Sequence, residues 1–138
     1  MEKQPQRPVL GALETQLSFE EAQSLCAMEG MPVESFSFTG GGAPGAQLAK
    51  SEWRGCALKG VCLRGADLRG AYFRDVSFLN CDFAGAALIG ATLHRCAFEG
   101  CRLTGANFSA GALADVRFFG CVAQSAAFSE CGMKAVLF

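Results

Sequence analysis

The sequence predicts a solenoid, a coil of short extended segments with a corner once in every five residues. Two observations carry this. Counting in fives from Trp53 to Phe138, seventeen of eighteen positions are Leu, Phe, Met or Trp, and Ala123 is the exception. Two residues before each of these centres runs a second series, from Ser51, Cys56 and Val61 to Val136, in which every member is small or β-branched. Residues two apart on an extended chain point the same way, so each unit sends one large and one small side chain inward. The other three positions are mostly Gly, Arg, Asp, Asn, Ser and Thr, as an outer surface with turns requires. A period of five fits neither a helix nor a straight strand, so the chain must turn once per unit.

With the period established, single units can be compared. Ala66-Asp67-Leu68-Arg69-Gly70 and Ala106-Asn107-Phe108-Ser109-Ala110 resemble the A(D/N)LXX signature of pentapeptide-repeat proteins. The resemblance covers residues 51–138 without a break. It implies an all-β solenoid, a right-handed quadrilateral β-helix with square coils of four units; the residues ahead of it add a short N-terminal helical cap. The division expected is 1–45 for the N-terminal segment, with its short helix and Gly-rich loop, and 46–138 for the β-helix.

Square coils sort the chain into columns twenty residues apart, stacked at about 4.8 Å per rung. One column reads Leu58, Phe78, Phe98, Phe118, Phe138, an interior aromatic ladder, and another reads Ala66, Ala86, Ala106, Ala126. A third reads Val61, Cys81, Cys101, Cys121. Stacked cysteines come within disulfide range, but parallel side chains and a reducing cytosol argue for free thiols acting as small hydrophobes. Zinc is poorly supported by eight cysteines with no Cys-x-x-Cys pair and a single histidine.

Ahead of the coil, residues 17–30 read as a helix, with Ser18 and Glu21 as a capping box and Gly30 as the stop. Leu17, Ala22, Leu25, Cys26 and Met28 give it an apolar face, whose role would be to cover the open first coil. Thr39-Gly40-Gly41-Gly42-Ala43-Pro44-Gly45 reads as a flexible connector. It is no phosphate loop, since no Gly-Lys-Ser/Thr follows.

Charge is divided unevenly. Residues 1–49 hold six acids and two bases, while 50–138 hold seven acids and ten bases. No apolar run reaches the roughly 18 residues of a membrane span. The opening MEKQPQRPVL lacks a signal-peptide core, so the expected location is cytoplasmic.

No catalytic constellation, metal set or cofactor motif appears. His94 falls outward with no carboxylate partner, and a convex solenoid gives scattered acids no cleft. Candidate residues therefore lie on the surface. Arg54, Arg74, His94, Ala114 and Lys134 line one edge and suit phosphate or an acidic partner, with Asp75 and Asp115 flanking Arg95 beside them. In a second column, Lys59, Leu79, Glu99 and Phe119, two large apolar side chains point outward, and Val122 joins them as a contact patch. Phe138, with Met133 and Leu137, is the candidate end for a homodimer through the C-terminal coil, a mode the resemblance implies; a fragment ending mid-coil is the alternative.

The resemblance supplies two functions. One is a non-enzymatic, rigid protein-interaction module without cofactors. The other is a protein that binds DNA gyrase, a type II topoisomerase, by imitating DNA, as quinolone-resistance members do. A DNA mimic needs an acidic face, and the repeat region has three more bases than acids.

Overall fold

Each strand pairs in parallel with the strand twenty residues further along the chain. In this computed structural model, which describes residues 4–15 and 17–138, one helix, α1 (Phe19–Glu29), precedes nine strands. These are β1 (Val33–Glu34), β2 (Ser37–Thr39), β3 (Glu52–Arg54), β4 (Ala57–Lys59), β5 (Tyr72–Arg74), β6 (Ser77–Leu79), β7 (Thr92–Glu99), β8 (Ala112–Phe119) and β9 (Gly132–Leu137).

The registers Trp53↔Phe73↔Leu93↔Leu113↔Met133 define a first face, and Phe38↔Leu58↔Phe78↔Phe98↔Phe118 a second. The third and fourth faces pair through single bridges, Cys62↔Asp82↔Arg102↔Val122 and Asp67↔Ala87↔Asn107↔Ala127. Four faces per twenty residues make the quadrilateral β-helix expected, with about five turns.

The corners explain the period. Every fifth residue from Gly30 to Ala135 has positive φ, and ten of these corners are not glycine. An L-residue pays roughly 1–2 kcal/mol for that conformation. Rung-to-rung hydrogen bonding holds it there: the N–H of Asp75 donates to the His94 carbonyl at 3.0 Å, and that of Ala110 to Ser129 at 2.9 Å.

Both inward series are buried through most of the coil. The aromatic ladder is real. Ring centroids of Phe78 and Phe98 lie 4.6 Å apart, of Phe98 and Phe118 4.9 Å, and of Phe118 and Phe138 5.0 Å, all stacked. All eight cysteines are free. The inward ones do more than fill space: the thiols of Cys56, Cys81, Cys96, Cys101 and Cys121 each reach the carbonyl 23 residues earlier, at 3.3–3.5 Å. Cys thus combines small volume with a weak donor to the carbonyl of a buried face centre in the rung before.

Helix α1 begins and ends as its sequence predicts. The Ser18 hydroxyl accepts the Glu21 N–H, the Glu21 carboxylate accepts the Ser18 N–H, and Gly30 closes the helix in the left-handed region. Its anchor differs from expectation. Phe19 is buried and stacks on Trp53, Ala22 is buried beside it, Leu17 and Cys26 are partly buried, and Leu25 is exposed. The Met28 side chain lies outside the described residues. Trp53 in turn donates its indole N–H to the Ser51 hydroxyl at 2.8 Å, which donates to the Leu48 carbonyl at 2.7 Å.

The glycine-rich stretch is also not a loose connector. The first strand of the coil starts at Val33, and Gly42 pairs with Cys62 as the third side of a first coil. A Cβ on Gly41 would come within 3.2 Å of Phe19 Cβ, and one on Gly42 would fall onto the Cys62 carbonyl. The Gly42 N–H donates to Glu20 Oε1 at 2.9 Å. Side chains are missing from this side so that the helix can seat against it. No helix among the described residues is long and apolar enough to cross a membrane.

Candidate interaction surface

On each face, the residues before and after the buried centre point outward. On the first face the leading column reads Glu52, Tyr72, Thr92, Ala112, Gly132, and the trailing column Arg54, Arg74, His94, Ala114, Lys134. Both columns shrink toward Ala112 and Ala114. The result is a shallow trough of about 560 Å³, bordered by Tyr72, Thr92, His94 and Lys134 and floored by Ala112 and Ala114. The columns needed to find it were in the sequence. Side-chain size across the face, rather than charge along its edge, shapes the trough.

The upper part of the edge is locally neutralised. Arg54 lies 3.2 Å from Glu52 and 3.8 Å from Glu34, with its guanidinium 5.8 Å from the Tyr72 ring centre. Arg74 lies 3.7 Å from Asp75, and Arg95 2.9 Å from the same carboxylate. Lys134 makes no ion pair among the described residues, and of the three predicted basic residues it alone borders the trough. Arg95 and Asp75 are largely buried, whereas the Arg54 pairs are exposed and contribute little to stability, at most about 1 kcal/mol each. Their effect is on the field the edge presents.

The other faces pair their charges too. Arg69 holds Asp67 through hydrogen bonds of 2.8 and 2.9 Å, which lower the Asp67 carboxyl to about 2. Arg64 lies 3.5 Å from Asp82. Among the described residues, no group of three His, Cys, Asp or Glu side chains is placed to hold a metal ion.

The predicted apolar patch is distributed. Leu79, Glu99 and Phe119 are in register on the second face, so Glu99 stands between the two apolar side chains. Phe119 is 68% exposed, Leu79 is half-buried, and Val122, 53% exposed, sits on the third face beneath Arg102. In the last coil Met133, Leu137 and Phe138 are exposed.

Two family models match the chain: a pentapeptide repeat region over residues 71–138, and pentapeptide repeats (8 copies) over residues 45–75. None of the curated proteins matches significantly. Among solved structures, a trypsin-treated form of QnrB1, a plasmid-mediated fluoroquinolone resistance protein, is 18% identical with a TM-score of 0.59, over 95% of this chain and 74% of its own. A pentapeptide repeat protein (Rfr23) from the cyanobacterium Cyanothece 51142 is 15% identical with a TM-score of 0.49, over 83% of this chain and 95% of its own. The chain belongs to the pentapeptide-repeat family.

Proposed function

We propose that this protein is a non-enzymatic interaction module that offers the first face of a rigid coil to a protein partner in the cytoplasm. The trough carries the reading. Its small-residue floor admits a partner side chain, Tyr72 supplies a rigid aromatic wall, and His94 and Lys134 supply polar rim groups. A photo-crosslinking residue at Ala112, compared with one at Ala87 on the fourth face, tests it. A discrete protein adduct at position 112, absent at 87 and lost on adding Ala114→Arg, supports the reading; adducts that ignore the face overturn it.

A second reading, binding to a type II topoisomerase such as gyrase, draws support from the fold likeness to QnrB1. Charge weighs against DNA mimicry: Glu52, Asp67, Asp75 and Asp82 are already held in ion pairs with arginines. A homodimer through Met133, Leu137 and Phe138 would accompany this reading. Gyrase supercoiling with a fluoroquinolone, with and without the protein, separates the two. Protection or inhibition at low micromolar protein favours the topoisomerase, and no effect from folded protein leaves the interaction module.

A further inference from the structure

The N-terminal segment lies across the rungs along one corner of the coil. Glu14 pairs with the first coil, donating its N–H to the Ser35 carbonyl and accepting the Ser37 N–H, both at 2.8 Å. Further back along the chain, the Val9 N–H donates to Asp75 Oδ1 at 3.0 Å and the Gln6 N–H to Asp115 Oδ1 at 3.1 Å. Asp75, Arg95 and Asp115 are successive positive-φ corners between the first and second faces. Arg95 Nη2 donates to Asp75 Oδ2 at 2.9 Å, while its Nε lies 2.9 Å from Oδ1 but off the line of a hydrogen bond. Arg95 therefore fixes the plane of the carboxylate that receives Val9.

The spacings match. Asp75 and Asp115 are two rungs apart, about 9.6 Å at the usual strand separation. Three residues of polyproline II chain rise about 9.3 Å and complete one turn, which returns the third N–H to the same side. Pro5 and Pro8 each precede a donor residue, hold φ near the polyproline value and offer no N–H of their own. Both contacts are made by backbone, so the corner reads chain conformation and donor spacing rather than the side chains of Gln6 and Val9.

We propose that the Asp75–Arg95–Asp115 corner is a docking rail for an extended Pro-x-x-Pro peptide, filled in this chain by its own residues 5–9. A partner peptide of the same spacing competes with that segment. The rail adjoins the trough, because His94 and Ala114, next to Arg95 and Asp115 in the chain, line it.

The test uses full-length protein and an acetylated peptide of residues 4–12, followed by amide shifts. Gln6→Pro together with Val9→Pro removes both internal donors and keeps the polyproline preference. On this double variant the peptide is expected to shift the amides of Asp75, Arg95 and Asp115. Its apparent Kd on the wild type is expected to be at least about tenfold weaker, because the internal segment occupies the rail. Adding Asp115→Gly, which suits the φ of 55° there, is expected to abolish binding. In the wild-type background, Asp115→Gly should remove hydrogen-exchange protection at Gln6 and leave that at Val9. Shifts elsewhere or none, equal affinity for wild type and double variant, indifference to Asp115→Gly, or no protection at Gln6 and Val9 each overturn the rail.

Discussion

Phe19 and Trp53 are stacked nearly parallel, with ring centroids 5.6 Å apart and an angle of 12° between the ring planes. Phe19 also meets Phe38 edge to face at 5.8 Å, so one helical side chain closes two interior columns at once. Removing it leaves a cavity at the end of the stack. Phe19→Ala is expected to destabilise the protein by about 3–5 kcal/mol, and Leu25→Ala by under about 1 kcal/mol. Urea denaturation of both variants checks the contrast; equal losses would mean that the helix is not anchored through Phe19.

Deep in the coil, Phe98 is stacked between Phe78 and Phe118 and meets Phe83 and Phe108 edge to face. Phe98→Ala should cost about 3–5 kcal/mol for the same reason. A change in melting temperature too small to resolve would count against the ladder.

At the corners, the prediction has the opposite sign. Ala110 has φ 59° and stacks two rungs below Gly70 and one below Gly90, which hold the same corner without a Cβ penalty. Ala110→Gly is expected to stabilise by about 0.5–1 kcal/mol, the relief of strain exceeding the entropy that glycine adds to the unfolded chain. Gly90→Ala should destabilise by a similar amount. Shifts in urea midpoint at constant slope would report both, and a loss of stability in Ala110→Gly would refute the strain.

Cys96 supplies a pH dependence. Burial pushes its thiol up from 9.0 to about 12. A group with a raised folded-state pKa contributes stability that is complete below its unfolded value and lost as pH climbs through the folded one. The window is therefore pH 9 to 12, and the loss approaches about 4 kcal/mol at its upper end. Cys96→Val copies Val76 and Val116, its buried neighbours in the same column. The variant should lose less stability than the wild type over that window, measured by denaturation at each pH. Parallel curves would show that Cys96 does not ionise on unfolding.

The inward columns were legible because each large side chain recurs at a fixed interval and burial demands it. The corners were only half legible: glycine marks a positive φ, but Lys50, Asp75 and Asn80 adopt it through hydrogen bonds that the local sequence does not disclose. Gly40, Gly41 and Gly42 read as a linker because a residue without a side chain looks the same whether the chain is loose or crowded. Phe19 escaped notice for a related reason. It sits at the first residue of the helix, where its partner, Trp53, is set by docking rather than by helical spacing. The Gln6–Asp115 contact spans 109 residues, and no periodic pattern reports a pairing of that kind.

The square coil also makes the molecule an indexed screw. Losing one five-residue unit between Thr92 and Ala112 would keep every large side chain facing inward, yet it would turn everything beyond by a quarter revolution. Ala112 would then stand beneath Ala87 instead of Thr92, and the trough would dissolve with the core intact. Only steps of twenty residues restore the faces. Insertions and deletions in such a chain act as gearing: they reassign which surfaces meet, at little expense to what holds the rod together.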